Sequence, residues 1–250
     1  MSKPSRPDGR KALDLRPVTI DVDVPSPAEG ACLIVQGKTR VLVTATVDDK
    51  VPPFLRDAAE GWITAEYGML PRATLERTPR EAARGKQSGR TQEIQRLIGR
   101  ALRGAVDRKQ MPDITITVDC DVLVADAGTR CASITGGYVA LALALAKLHE
   151  EKVVRKNPLR EGVAAISVGL DAHGVLLDLD YAEDSTADVD LNIVGTSTGR
   201  FVEIQGTAER EPFSEERLVE MLAAGRKGLK KLFLAQHEAL LGRLPKEWLS

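Results

Sequence analysis

Lys86-Gln87-Ser88-Gly89-Arg90-Thr91-Gln92-Glu93-Ile94-Gln95-Arg96-Leu97 joins a basic loop to an amphipathic helix. How this junction is read decides the fold class. Gly85-Lys86 looks like the end of a P-loop, which would open a helix of a doubly wound sheet. Arg80 stands where that motif needs its first glycine, and Gln87 where it needs Ser or Thr to hold magnesium. The P-loop is therefore rejected. What remains is a helix start with an arginine beside it. The first N–H groups of a helix lack intrahelical partners and carry partial positive charge. Arg90 at such an end makes a ready site for phosphate.

Downstream, Ile94, Leu97, Ile98, Leu102 and Ala105 recur at helical spacing and predict a helix over residues 91–107. Residues 114–122 alternate as a strand should. A loop over 125–130 follows, then a buried Ala- and Leu-rich helix over 133–149. Upstream, residues 16–24, 31–36 and 40–47 predict strands, the last two joined at Gly37-Lys38-Thr39. Residues 61–67 form a short strand candidate, and 69–88 a basic loop.

The second half repeats this order loosely. Residues 164–170 and 175–180 predict a hairpin around His173-Gly174, and 189–194 and 201–205 another around Thr198-Gly199. A long helix over 214–238 opens at Ser214 with Glu215 and Glu216 in its first turn. Strands then helix, twice over, predict an α+β fold of two related halves, roughly 11–150 and 160–240. The halves pack into one domain spanning the 250 residues, of which 43% are hydrophobic, enough for a substantial core.

Net charge is -1, so no global attraction to nucleic acid or membrane is expected. The charge is unevenly placed. Residues 72–108 hold ten Lys/Arg against four Asp/Glu, while 171–190 hold seven Asp/Glu and no Lys/Arg. Cys32, Cys120 and Cys131 are too scattered for a disulfide framework or zinc site, and predict buried thiols in a cytoplasmic protein. No apolar stretch follows Lys3 and Arg6, so no secretory signal is expected. The longest apolar run, residues 139–146, is too short to span a bilayer, so no membrane partner is expected.

Gly195-Thr196-Ser197-Thr198-Gly199 matches the G-x-S-x-G nucleophile pattern, but a strand follows it rather than a helix. A hairpin turn explains it better. Arg72, Arg77, Arg80, Arg84 and Lys86 form a basic loop without interleaved aromatics, which suits a phosphate backbone better than base stacking. Gly128-Thr129-Arg130 lies between a strand and a helix. Glycine there lets backbone approach a ligand, and the following N–H groups can face an anion. With Arg90 this makes two arginines and two helix ends that could converge on one phosphate. Asp184 and Asp190 are either ordinary turn and strand carboxylates or ligands for magnesium, which takes one or two carboxylates plus substrate oxygens and water.

Taken together these segments resemble the ribonuclease PH family of phosphate-dependent 3′-exoribonucleases. The N-terminal mark is Arg6-Pro7-Asp8-Gly9-Arg10 with Leu15-Arg16-Pro17. Longer matches are Gly61-Trp62-Ile63-Thr64-Ala65-Glu66-Tyr67-Gly68-Met69-Leu70-Pro71 and the stretch from Gly85 to Ile98. Asp119-Cys120-Asp121-Val122-Leu123 with Gly128-Thr129-Arg130, Glu183-Asp184-Ser185, and Glu203-Ile204-Gln205-Gly206-Thr207-Ala208-Glu209 complete the set.

The resemblance implies that Arg90, Gly128, Thr129 and Arg130 bind phosphate. It implies that Asp184 and Asp190 are the catalytic and magnesium carboxylates, and that Arg72, Arg77 and Arg80 guide RNA. The implied fold is two halves built on ribosomal-protein-like βαβ units. The implied reaction is reversible phosphorolysis of RNA 3′ ends, transfer-RNA precursors above all, by inorganic phosphate with Mg2+. The implied assembly is a homo-hexamer, a trimer of dimers. Val124 and Ala127 depart from the family's usual glutamine and glycine. If residue 127 needs positive φ, alanine there costs roughly 1 kcal/mol or more. The family also includes ring subunits that only bind RNA. Both arginines and both aspartates are present here, which favours the catalytic reading.

Overall fold

β1 (Val18–Asp21), β2 (Gly30–Gln36) and β3 (Thr39–Asp48) open the chain as an antiparallel meander. β4 (Trp62–Met69) follows a Pro-containing crossover, and α1 (Gly89–Gly104) follows the basic loop. Next come β5 (Thr115–Val124) and α2 (Thr129–Glu150). This is a computed structural model describing residues 6 and 8–248. Pro7 of the N-terminal mark therefore lies outside the described residues.

The first sheet runs β1-β2-β3-β5-β4. Val41, Val43 and Ala45 on β3 and Ile116, Val118, Cys120 and Val122 on β5 alternate inward and are buried. α1 lays Ile94, Leu97, Ile98, Ala101 and Leu102 on this sheet, the stripe expected of a half-buried helix. β4 and β5 are parallel, so both end on the same side, and each leads into a loop of the candidate site.

The second sheet runs β7-β6-β8-β9, all antiparallel: β6 (Val163–Asp171), β7 (Gly174–Leu177), β8 (Val189–Thr196) and β9 (Phe201–Ala208). A single-turn helix α3 (Tyr181–Asp184) precedes β8, and α4 (Glu215–Leu240) covers the sheet with Met221, Ala224, Leu229 and Leu232. Ser214 caps α4 by accepting from the Arg217 N–H at 3.5 Å.

α2 is buried nearly all round because it is shared. Gly136 lies so close to β2 and β3 that a Cβ there would sit 2.9 Å from Ile34 Cγ2. One residue back, Thr135 Oγ1 accepts from the Ala165 N–H of β6 at 3.2 Å. By length and composition α2 could cross a membrane, but most of it is buried inside this fold.

The α+β architecture matches the sequence expectation, with some differences. The strand expected over 175–180 stops at Leu177, because Asp178 takes φ 56° and leaves the ladder. α3 was not expected. It forms on a capping box in which Asp180 Oδ1 accepts from the Glu183 N–H (3.0 Å) and Glu183 Oε2 from the Asp180 N–H (3.1 Å). The G-x-S-x-G stretch is the β8–β9 turn, with Ser197 Oγ accepting from the Gly162 N–H at 3.0 Å.

Candidate phosphate and metal site

Arg90 stands in the first turn of α1, exposed, just after the cap. Ser88 Oγ caps that helix by accepting from the Thr91 N–H at 3.2 Å. Arg90 also lines a cleft of about 750 Å³ with Tyr67, Arg80, Arg84, Lys86 and Asp121. Arg72 and Arg77 are exposed on the same basic loop but do not line the cleft. Arg130, Asp184 and Asp190 lie outside it as well.

The loop after β5 turns sharply to start α2. Ala127 and Gly128 take φ of 56° and 66°. Alanine thus does occupy a left-handed position, as its place in the sequence warned. Thr39 holds the turn, donating to the Ala127 carbonyl (2.7 Å) and accepting from the Asp126 N–H (3.0 Å). Gly128 is the N-cap of α2 and brings no side-chain cap. The first N–H groups of a 22-residue helix are therefore left without one, which favours an anion there. The Thr129 hydroxyl shares a 2.8 Å hydrogen bond with the Tyr67 hydroxyl. Arg130 is steered by Gln205, whose Oε1 accepts from Nη1 at 2.5 Å, and by Glu93 at 3.6 Å.

Asp184 ends α3, and Asp190 sits on β8 opposite Thr207 of β9. Burial pushes the Asp190 carboxyl up to about 6, and the Asp184 charge adds to the rise. Arg130 and the Asn192 amide, which donates to Oδ2 at 3.1 Å, pull against it. Burial raises Asp184 too, against the pull of Arg90, Arg130 and Arg16. Burial likewise raises Tyr67, against its Thr129 bond and the same pair, Arg90 and Arg130. The two arginines, 40 residues apart in sequence, thus act on the same buried tyrosine and the same carboxylate.

Magnesium fits this donor set. Asp190 Oδ1 is buried and has no hydrogen-bond partner among the described residues. The Asp184 carboxylate is close enough to raise Asp190, as a shared cation would require. Among the described residues no group of three or more His, Cys, Asp or Glu is placed to hold a metal. Two carboxylates completed by substrate oxygens and water suit magnesium better than a closed structural ion.

Comparison with known proteins settles the family. Family models described as "3' exoribonuclease family" match residues 14–147 as domain 1 and 162–228 as domain 2. The chain belongs to the 3′ exoribonuclease family. Within that family it is 54% identical over 241 residues to ribonuclease PH of Bacillus subtilis (strain 168), covering 96% of this chain and 98% of that one. It is 54% identical over 236 residues to ribonuclease PH of Geobacillus sp. (strain WCH70), covering 94% and 92%.

Solved structures share the exoribonuclease fold. Rrp46 of rice (Oryza sativa) superposes with a TM-score of 0.76 at 19% identity, covering 94% of this chain and 100% of that one. A chain of the Archaeoglobus fulgidus exosome, solved with RNA bound to its active site, gives 0.75 at 23% identity, covering 91% of each.

Sequence reading of this exoribonuclease named the charged groups of the candidate site and assigned no role to the side chains that hold them. Tyr67, Glu93, Asn192 and Gln205 orient the predicted residues, and Asp178 anchors the chain leading to Asp184. Glu93 and Gln205 lay within quoted motifs. Only their contacts with Arg130, from Glu93 within the first half and from Gln205 across the two halves, reveal what they do.

Proposed function

We propose that Arg90, Arg130, Thr129 and the first N–H groups of α2, reached past Gly128, hold inorganic phosphate against the 3′-terminal phosphodiester of RNA. The reaction is that of ribonuclease PH, phosphorolytic 3′-to-5′ removal of nucleotides in transfer-RNA processing. One observation carries the site: Tyr67, which lines the cleft with Arg90, is hydrogen-bonded at 2.8 Å to Thr129, the first residue of α2 and the neighbour of Arg130.

A phosphate oxygen attacks the terminal phosphorus, and the bond to the preceding 3′ oxygen breaks. A nucleoside 5′-diphosphate leaves, and the shortened RNA keeps a 3′ hydroxyl. The guanidinium groups offset repulsion between the two anions and hold them in line. No enzyme nucleophile is required. The three cysteines are buried, and burial pushes all three thiols up, Cys32 to about 12.

Asp184 and Asp190 would hold magnesium, which when bound neutralises charge on the scissile phosphate and the departing oxygen. Asp190 holds its proton to higher pH than an ordinary aspartate. One of the two aspartates would instead serve as proton donor to the departing 3′ oxygen, and the raised carboxyl of the metal-free chain favours Asp190 for that part. The product phosphoanhydride retains much of the diester's free energy, so the reaction also runs backwards and adds nucleotides.

Arg80, lining the cleft, and the exposed Arg72 and Arg77 would guide the RNA strand toward Arg90. We place the protein in the cytoplasm, a compartment that suits free thiols. The assembly we propose is a homo-hexamer, a trimer of dimers. Sedimentation should give six times the mass of the 27.1 kDa chain.

The deciding assay incubates 3′-tailed RNA with magnesium, with and without phosphate. Release of diphosphates only when phosphate is present is expected. Monophosphates released without phosphate would mean hydrolysis and end the proposal.

A further inference from the structure

The Leu15-Arg16-Pro17 mark takes no part in the reaction just described. Arg16 is nonetheless only 4% exposed, unusual for an arginine. Its Nη2 donates to Asp178 Oδ1 at 2.7 Å, and its backbone N–H to Asp178 Oδ2 at 2.8 Å. Its Nη1 donates at 2.5 Å to the carbonyl of Asp126, the residue before the Ala127-Gly128 turn. One guanidinium therefore joins the root of the phosphate loop to the root of the segment that carries Asp184.

Both roots are fixed from other sides. Asp178 is fully buried, and Gln36 Nε2 also donates to its Oδ1 at 2.7 Å. Its carbonyl accepts from Arg6 Nη2 (2.9 Å) and Arg10 Nη1 (3.0 Å). Asp126 Oδ1 accepts from the Tyr181 N–H of α3 at 3.3 Å. The surroundings are shaped to the arginine itself. A Cβ at Gly37 would lie 2.5 Å from Arg16 Cδ, and one at Gly128 3.0 Å from its Nη2. A buried ion pair is a poor stabiliser, since desolvation offsets its attraction. A forked, planar donor bridging two loops is, however, a good spacer, and lysine cannot reproduce it.

We propose that Arg16 is a positioning residue, a strut between Asp126 and Asp178 that sets bound phosphate at its working distance from Asp184 and Asp190. This rests on the phosphate site assigned above.

Arg16→Lys keeps a charge against Asp178 and gives up the reach to Asp126. In the full-length protein its dissociation constant for inorganic phosphate, read by titration calorimetry, should rise on the order of tenfold or more. The KM for RNA should stay near the parent value. Arg10→Gln is the control, since Arg10 reaches Asp178 and Glu183, the same segment that Arg16 holds, but not the phosphate loop. It should lower the melting temperature and leave phosphate affinity unchanged. If Arg16→Lys does not fold, Arg16→Met with Asp178→Asn removes both charges and leaves no buried ion alone. Asparagine also tolerates the left-handed backbone of residue 178. The double variant should show the same weakening for phosphate. Parent affinity in whichever of the two folds, or an equal loss in Arg10→Gln, overturns the strut. Arg90→Ala is titrated alongside, and parent affinity in that variant alone overturns the site assignment instead.

Discussion

Among the described residues the Arg90 side chain makes no hydrogen bond or ion pair, so its removal tests chemistry rather than folding. Arg90→Ala should lower phosphorolysis on the order of 10²-fold or more, the scale of losing one transition-state donor. RNA binding, measured by filter retention, should be largely unchanged, and near-parent activity at saturating phosphate would refute the role. Asp190 carries the pH dependence. Its folded pKa is raised to about 6, so ionising it costs the fold stability. The favourable contribution of the protonated form is full below the unfolded value, near 4, and is lost as pH rises through about 6. The metal-free Asp190→Asn variant should therefore melt above the parent at neutral pH, with the gap closing toward about pH 4. Calorimetry across that window checks the sign, and an equal gap at both ends would contradict it. Ala127 is a residue in strain. Ala127→Gly relieves the left-handed penalty but adds unfolded-state entropy, for a net gain of about 0.5–1 kcal/mol in chemical denaturation.

At the scale of elements, α3 is the smallest piece with the largest consequence. Four residues place Asp184, and the capping box on Asp180 and Glu183 shapes them. Asp180→Ala should cost about 1 kcal/mol of stability, as lost caps do. It should also raise the magnesium concentration needed for half-maximal activity, and a stability loss without that rise would separate the cap from the site. α3 was invisible in the sequence because one helical turn has no periodicity to read. The long elements were legible for the opposite reason. Ile94, Leu97, Ile98 and Leu102 repeat at the helical period, and Ile116, Val118, Cys120 and Val122 at the strand period. The parallel β4–β5 pairing was not legible, since strand order is a long-range choice that local alternation does not encode. At the site, the motifs exposed Arg90, Gly128, Thr129, Arg130, Asp184 and Asp190. Arg16 was legible only as part of the N-terminal mark and Asp178 only as one of an acidic stretch, and their burial and pairing are visible only in the fold.

At the scale of the whole molecule, two sheets lean on one helix. α2 packs against β2 and β3 through Gly136 and against β6 through Thr135, while its first turn forms part of the candidate phosphate site. α4 reaches the same helix, with Gln236 Nε2 donating at 2.9 Å to both the Thr135 and Val163 carbonyls. A ligand that binds only the native form adds its binding free energy to the whole cooperative unit. Occupancy at the tip of this common spine should therefore be felt far from the tip. Inorganic phosphate at a hundred times its dissociation constant should add about 2.7 kcal/mol. In heavy water, protection of slowly exchanging amides should deepen in both sheets together, not only in residues 126–132. Protection confined to that loop would mean that the seat and the spine are mechanically separate.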